Sequence, residues 1–234
     1  MSLDCLNLSP EEWEAIALSL KVSFWAMVAS FPFGLLVAFA LARGNFWGKA
    51  LLNGIVHVPL VLPPVVTGYA LLTVFGRRAP IGAFLADHLG IVFAFRWTGA
   101  ALACAIMGFP LMVRAMRLAI EAVDRRLEAT ASTLGASPFW VFTTITLPLA
   151  LPGITAGMIL SFAKAMGEFG ATITFVSNIP GETQTVAGAI HSYLQTPGGD
   201  GLAWRLAAFS LAVSLAAILF SENLARRAIA GHAQ

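Results

Sequence analysis

The chain has 234 residues, 58% of them hydrophobic and only 11% charged, with fourteen basic and twelve acidic side chains and a net charge of +2. Average soluble domains carry about 25% charged residues, so these few charges cannot coat a water-soluble domain of this length. The weak net charge also argues against a nucleic-acid partner. The composition is that of an all-α integral membrane protein, one transmembrane domain over residues 1–234.

A membrane helix needs roughly 20 mostly apolar residues. Five windows qualify: 15–42, 51–75, 97–120, 147–175 and 202–224. The first is preceded by Asp4, Glu11, Glu12 and Glu14, where a cleavable signal needs bases, so none is expected. Cys5 and Cys104 form no Cys-x-x-Cys pair, so neither a disulfide nor a metal is expected, and Cys104 reads as packing. The short connector 43–50 holds the nearest phosphate-loop candidate. It has one residue too few between Gly44 and Gly48, and Ala50 where Ser or Thr would meet magnesium. No nucleotide site is expected on this chain.

The second window holds Pro59, Pro63 and Pro64. Prolines free backbone carbonyls at membrane depth, and those need protein or water as partners. Two readings are open. One is a broken helix facing a central cavity, with Pro63, Pro64 and Thr67 on a pathway; the other is a kinked helix with no such role. The third window carries Arg114 and Arg117 in its last turns.

Loop 121–146 follows. Ile120, Val123, Leu127, Ala131 and Leu134 recur at helical spacing as one apolar stripe. Gly135 suits a helix end, Ser137 an N-cap and Pro138 the first position of a second helix. The run Phe139 to Ile145 is apolar and aromatic, as at a membrane interface. Small residues at the corner allow another surface to approach closely. A hairpin cap that packs on its own bundle is the alternative.

The fourth window is interrupted by Lys164 and Glu168. They are four apart and can pair on one helix face. The pair is either a self-neutralising unit buried in the bundle or part of a gate. Gly167 and Gly170 flank Phe169, which is a movable constriction or a packing knob; Thr172 follows. Beyond it, Val186, Ile190, Tyr193 and Leu194 predict a short amphipathic helix, either a ledge for a delivery protein or a lid. His57 and His191 have no ligand-spaced partners, and Met107, Met112, Met116, Met158 and Met166 read as packing.

Five spans put the termini on opposite sides. One side collects Arg43, Lys49, Arg114, Arg117, Arg125, Arg126, Arg226 and Arg227; the other holds Arg77, Arg78, Arg96 and Arg205. The positive-inside rule then puts the N-terminus outside, with the C-terminus and loop 121–146 in the cytoplasm.

The stretch "EATASTLGASPFWVFTTITLPLALPGI" resembles the cytoplasmic EAA loop of permease subunits of bacterial ABC importers. Glu128, Ala129, Gly135, Leu147 and Pro148 match its pattern, and Thr130 departs from it where a second Ala is usual. The resemblance implies a type I importer permease fold of about five membrane helices in the bacterial inner membrane. It also implies that Glu128, Ala129, Thr130, Leu134, Gly135, Ala136, Ser137, Pro138 and Trp140 dock a separate ATPase. "GEFGATITFVSNIPGETQT" resembles the molybdate branch; the sulfate/thiosulfate branch shares its Gly-Glu-Phe-Gly-Ala core. The resemblance implies a homodimer with two cytoplasmic ATPase subunits, which carry ATP and magnesium, and an extracytoplasmic oxyanion-binding protein. Pathway or gate candidates are Pro63, Pro64, Thr67, Lys164, Glu168, Phe169, Gly170 and Thr172. Tungstate, sulfate and other oxyanions stay open as cargo. An intramembrane enzyme would need a nucleophile, base and orienting group together, and the Lys164/Glu168 pair lacks them. A purely structural membrane subunit would show no dependence of a partner's ATPase activity on the Gly135 corner.

Overall fold

The computed structural model describes residues 8–231, with side chains described through Ala217 and at Leu219 and Phe220. Cys5 and Asp4 lie outside these residues, as do the side chains of Arg226 and Arg227. Every regular element among the described residues is helical.

Helix α1, Pro10–Arg43, starts earlier than its apolar run because a capping box builds its first turn. The Ser9 hydroxyl accepts from the Glu12 amide (3.2 Å), the Glu12 carboxylate accepts from the Ser9 amide (2.7 Å), and Pro10 takes the position where no donor is needed. Its buried face is mostly small: Ala15, Ser19, Ser23, Ala26, Ser30, Gly34, Ala38. That face lies against α5, Trp97–Ala122, the most buried of the long apolar helices. On its other side α5 packs on α8, Leu147–Met166.

Lipid tails are as apolar as Leu, so burial alone does not hold such helices together; close backbone approach does. The glycines sit at these crossings. A Cβ on Gly34 would come within 2.9 Å of Met112 Sδ, one on Gly108 within 2.5 Å of Ser161 Oγ, and one on Gly153 within 2.3 Å of Ala119 Cβ.

The second window is not one continuous span. It forms α2, Lys49–Val61, and α3, Pro64–Phe75, bent by 112°. Pro63 and Pro64 remove two successive donors, so the helical ladder stops at Leu62, whose amide still reaches the Val58 carbonyl (3.0 Å). The connector 76–96 contains a further helix, α4, Pro80–Leu89.

The fourth window also divides. Helix α8 ends at Met166, residues 167–169 turn, and α9 covers Gly170–Val176. The amphipathic helix expected beyond it is α10, Val186–Leu194, and α11 runs Asp200–Gly231. Among the described residues four helices are long and apolar enough to cross a membrane, Pro10–Arg43, Trp97–Ala122, Pro138–Met166 and Asp200–Ala217, and the bent α2/α3 pair brings the number to five if it is counted as one broken span.

At the α10 end, Arg205 donates to the buried Glu12 carboxylate (2.9 Å) and the Ser19 hydroxyl accepts from the Val186 amide (2.7 Å). These contacts join the starts of α1, α10 and α11. Burial, then the Glu11 and Glu12 carboxylates, push the nearby Tyr193 phenol above its ordinary value.

Candidate functional site

At the end of the molecule opposite α10, α5 stops at Ala122 and a separate helix α6, Arg125–Thr133, begins. Asp124 caps it, accepting from the Arg126 amide (2.9 Å). This break corrects the single stripe expected from Ile120 to Leu134. Ile120 and Val123 are buried in the bundle, whereas α6 buries no residue and turns Leu127 and Leu134 outward.

The corner after α6 is fixed by local bonds. The Ala136 amide reaches the Ala131 carbonyl and the Gly135 amide the Ser132 carbonyl, both at 3.1 Å. This is the Schellman pairing. It needs a left-handed residue at position 135, and Gly135 has φ +88. The Ser137 hydroxyl then accepts from the Trp140 amide (3.3 Å), and Pro138 opens α7, Pro138–Val141. Phe142–Thr146 form a π-helical turn leading into α8.

The result is a ledge of unpartnered apolar side chains. Leu134 is 84% exposed and Phe139 76%, with Leu127 and Trp140 also outside. Ala131, Leu134, Gly135, Ala136, Ser137 and Trp140 line a depression of about 560 Å³. Ala129 and Thr130 are exposed, and the Thr130 hydroxyl donates back to the Arg126 carbonyl (2.8 Å), spending itself within the helix.

Glu128 behaves differently. It points into its own chain, where one carboxylate oxygen accepts from Arg43 Nη2 (2.9 Å), Arg43 Nε (3.2 Å) and Thr146 Oγ1 (2.7 Å). Arg43 also donates to the Val123 carbonyl (3.0 Å). One carboxylate therefore ties α6 to the end of α1 and to the start of α8. Neither Arg43 nor Thr146 is marked by the sequence as a member of this site, because they lie 85 and 18 residues from Glu128 and no local spacing links them.

The pathway candidates gather about one length of α8 away, roughly 30 Å for 20 residues. There α3 and α9 touch backbone to backbone. A Cβ on Gly68 would lie 2.5 Å from the Ala171 carbonyl oxygen, and one on Gly170 2.8 Å from Pro64 Cβ. Pro63 caps α3, its carbonyl accepting from the Val66 and Thr67 amides (2.9 and 3.3 Å). The buried Thr67 hydroxyl finds no partner among the described residues.

Lys164 and Glu168 do pair, but around a helix end and not along a helix. Glu168 is 2% exposed and also accepts from the Ala171 amide of α9 (3.1 Å). Thr172 donates to the Phe169 carbonyl (2.9 Å), and the Phe169 ring lies 4.9 Å from the His191 ring on α10. Thus the candidates form two groups, one at each end of α8.

Residues 30–230 match the family described as the binding-protein-dependent transport system inner membrane component. The chain belongs to this family. The molybdenum transport system permease protein ModB of Escherichia coli strain K12 is 58% identical over 219 residues, covering 94% of this chain and 96% of that protein. ModB of Haemophilus influenzae is 53% identical, covering 92% and 94%. Among solved structures, a bacterial alginate ABC transporter in complex with an alginate-bound periplasmic protein aligns with a TM-score of 0.73 at 18% identity, covering 94% of this chain and 80% of its counterpart. That likeness shows the fold; the family match and the permease relatives show a multi-pass membrane protein.

Proposed function

We propose that this chain is the membrane-spanning permease of an ATP-driven molybdate importer. The observation that carries the reading is the 58% identity to the E. coli molybdenum permease across nearly the whole of both chains. The chain works as a homodimer with two ATPase subunits, which hold ATP and magnesium, and with an extracytoplasmic oxyanion-binding protein. The N-terminus lies outside and the C-terminus in the cytoplasm.

The apolar corner from Ala129 to Trp140 is the seat for the ATPase. Its exposed Leu134, Phe139 and Trp140 are costly to leave in water, and a partner groove removes that cost. Closure of the ATPase pair moves α6 and α7. Glu128 passes this movement to α1 through Arg43 and to α8 through Thr146. At the other end of α8, the packed α3/α9 unit with Pro63, Pro64, Thr67, Lys164, Glu168, Phe169, Gly170 and Thr172 lines the route and opens in alternation.

Two measurements test this. The purified complex in vesicles, given its delivery protein and labelled anions, should import molybdate in preference to sulfate; sulfate import alone would reassign the cargo. Gly135→Arg adds a long side chain whose Cβ would meet no atom within 4 Å, but at φ +88 it also strains the turn, locally and away from the bundle. The variant should insert and fold but no longer co-purify with the ATPase. Normal assembly and transport would remove the docking assignment.

A further inference from the structure

The Lys164/Glu168 pair closes the fourth apolar stretch, at the end of the candidate span Pro138–Met166, and is unequally buried. The Glu168 side chain is 2% exposed and that of Lys164 is 30% exposed. Their depth follows from α5. Cys104 Sγ contacts the Ala165 carbonyl oxygen at 3.6 Å, and Cys104 lies seven residues into α5, about 10 Å along the axis from Trp97. A bilayer's hydrocarbon core is about 30 Å thick. An exposed ammonium at this level is costly against lipid, so its open face belongs to water or protein in the assembled transporter.

The two partners are also unequally satisfied. Each Glu168 carboxylate oxygen has its own donor, Lys164 on Oε2 and the Ala171 amide on Oε1. Glu168 therefore stays anchored to α9 if Lys164 swings away. Lys164 makes one hydrogen bond among the described residues, to Glu168. An ammonium has three donors, so two remain for other oxygens. Phe169 and the glycines Gly167 and Gly170 adjoin the pair, and a Cβ at Gly167 would meet no atom within 4 Å.

We propose that Lys164 is a transient contact for the passing oxyanion, and that Glu168 is the counter-charge that stops Lys164 from holding it. An unpaired ammonium in a low-dielectric path would attract a dianion strongly and release it slowly. Conduction needs attraction weak enough to let the ion leave. A neutral pair gives that compromise: the ammonium is present, but most of its field is cancelled by a carboxylate fixed from its other side. This rests on the reading of the chain as an oxyanion permease, and it adds what two of its residues do to the ion.

The test uses the purified permease–ATPase complex, by equilibrium dialysis with labelled molybdate and by import into vesicles with the delivery protein. Glu168→Gln keeps shape and leaves an amide that can accept from only one of the two former donors. It should raise molybdate retention about tenfold over wild type and slow import by a similar factor. Lys164→Gln should slow import without any gain in retention, Lys164→Arg, which keeps the charge, should import faster than Lys164→Gln, and the double Gln variant should lose the gained retention. An assembled Glu168→Gln complex with unchanged retention overturns the proposal, as does a gain that survives in the double variant. If Glu168→Gln fails to assemble, the Lys164 variants decide, and equal import by Lys164→Arg and Lys164→Gln overturns it. A wild-type complex that carries sulfate and not molybdate removes the cargo assignment, and the same variants are then read with labelled sulfate. A complex that carries neither removes both.

Discussion

Glu128 falls on the partner-facing loop in the sequence, yet in the fold it is bonded to its own chain. It is 85 residues from Arg43, and no local pattern announces that contact. Nothing on α6 is buried, so this carboxylate is the main tether of an otherwise exposed helix. Glu128→Gln keeps an acceptor for Thr146 and loses the charge opposite Arg43. The expected local cost is about 1–2 kcal/mol. Amide exchange across 125–133 should quicken severalfold while α5 is unchanged, and less substrate should be moved per ATP hydrolysed. Exchange rates equal to wild type would remove the tether. Leu134→Glu is the complementary test. Leu134 is 84% exposed, so folding should change by no more than about 0.5 kcal/mol. Co-purification of the ATPase should nonetheless fall, because a charge replaces an apolar contact. The local features of this corner were legible in sequence: Gly135 at the turn, Ser137 as cap and Pro138 at the first helical position all sit where they were expected. They act over three or four residues, which sequence spacing can report. The capping box Ser9/Glu12 is equally local in sequence and starts α1 at Pro10, ahead of the apolar run.

Between elements, the breaks carry more information than the spans. Apolar length and proline positions indicate that residues 51–75 cannot be a straight helix, but the 112° bend depends on what α3 meets. It meets α9, and that contact was not readable, because it joins two half-helices about 100 residues apart, by close backbone approach at Gly68 and Ala171 and by apolar packing of Leu71 in the cluster that holds Phe175 and Val176. Likewise the i, i+4 spacing of Lys164 and Glu168 correctly predicts a pair, yet the helix ends between them at Met166. The glycines separate close contact from open space. Gly68→Ala would drive a Cβ to 2.5 Å from the Ala171 carbonyl oxygen and 2.9 Å from Thr174 Cβ. Backbone cannot yield as a side chain can, so α3 and α9 must part, at about 1–3 kcal/mol. Gly54→Ala, with nothing within 4 Å on α2, should be neutral or stabilising by up to about 1 kcal/mol. Thermal unfolding of the two variants in detergent should differ in that sense. Transport should fall in Gly68→Ala alone, and equal behaviour of the pair would deny the α3/α9 unit a part in the path.

Over the whole molecule, the two ends are held by different ion pairs, Glu12 with Arg205 and Arg43 with Glu128. The first clamps α1 to α11 beside α10; the second clamps α1 to α6. This gives the orientation a direct physical test, since the ends carry different exposed loops. By sequence position eight bases fall on the side of loop 121–146 and four on the other, and short basic loops are retained in the cytoplasm. Exposed Ser132 belongs to the α6 end, and exposed Glu182 to the loop before α10. With Cys5 replaced by Ser and Cys104 left buried, Ser132→Cys should react with an impermeant maleimide only in inverted vesicles. Glu182→Cys should react only in intact spheroplasts. The reverse pattern would put the apolar corner outside the cell, where no ATP-consuming subunit could reach it. The mechanical route through Glu128, α8 and the α3/α9 unit would then have no source of work, whatever anion the chain carries.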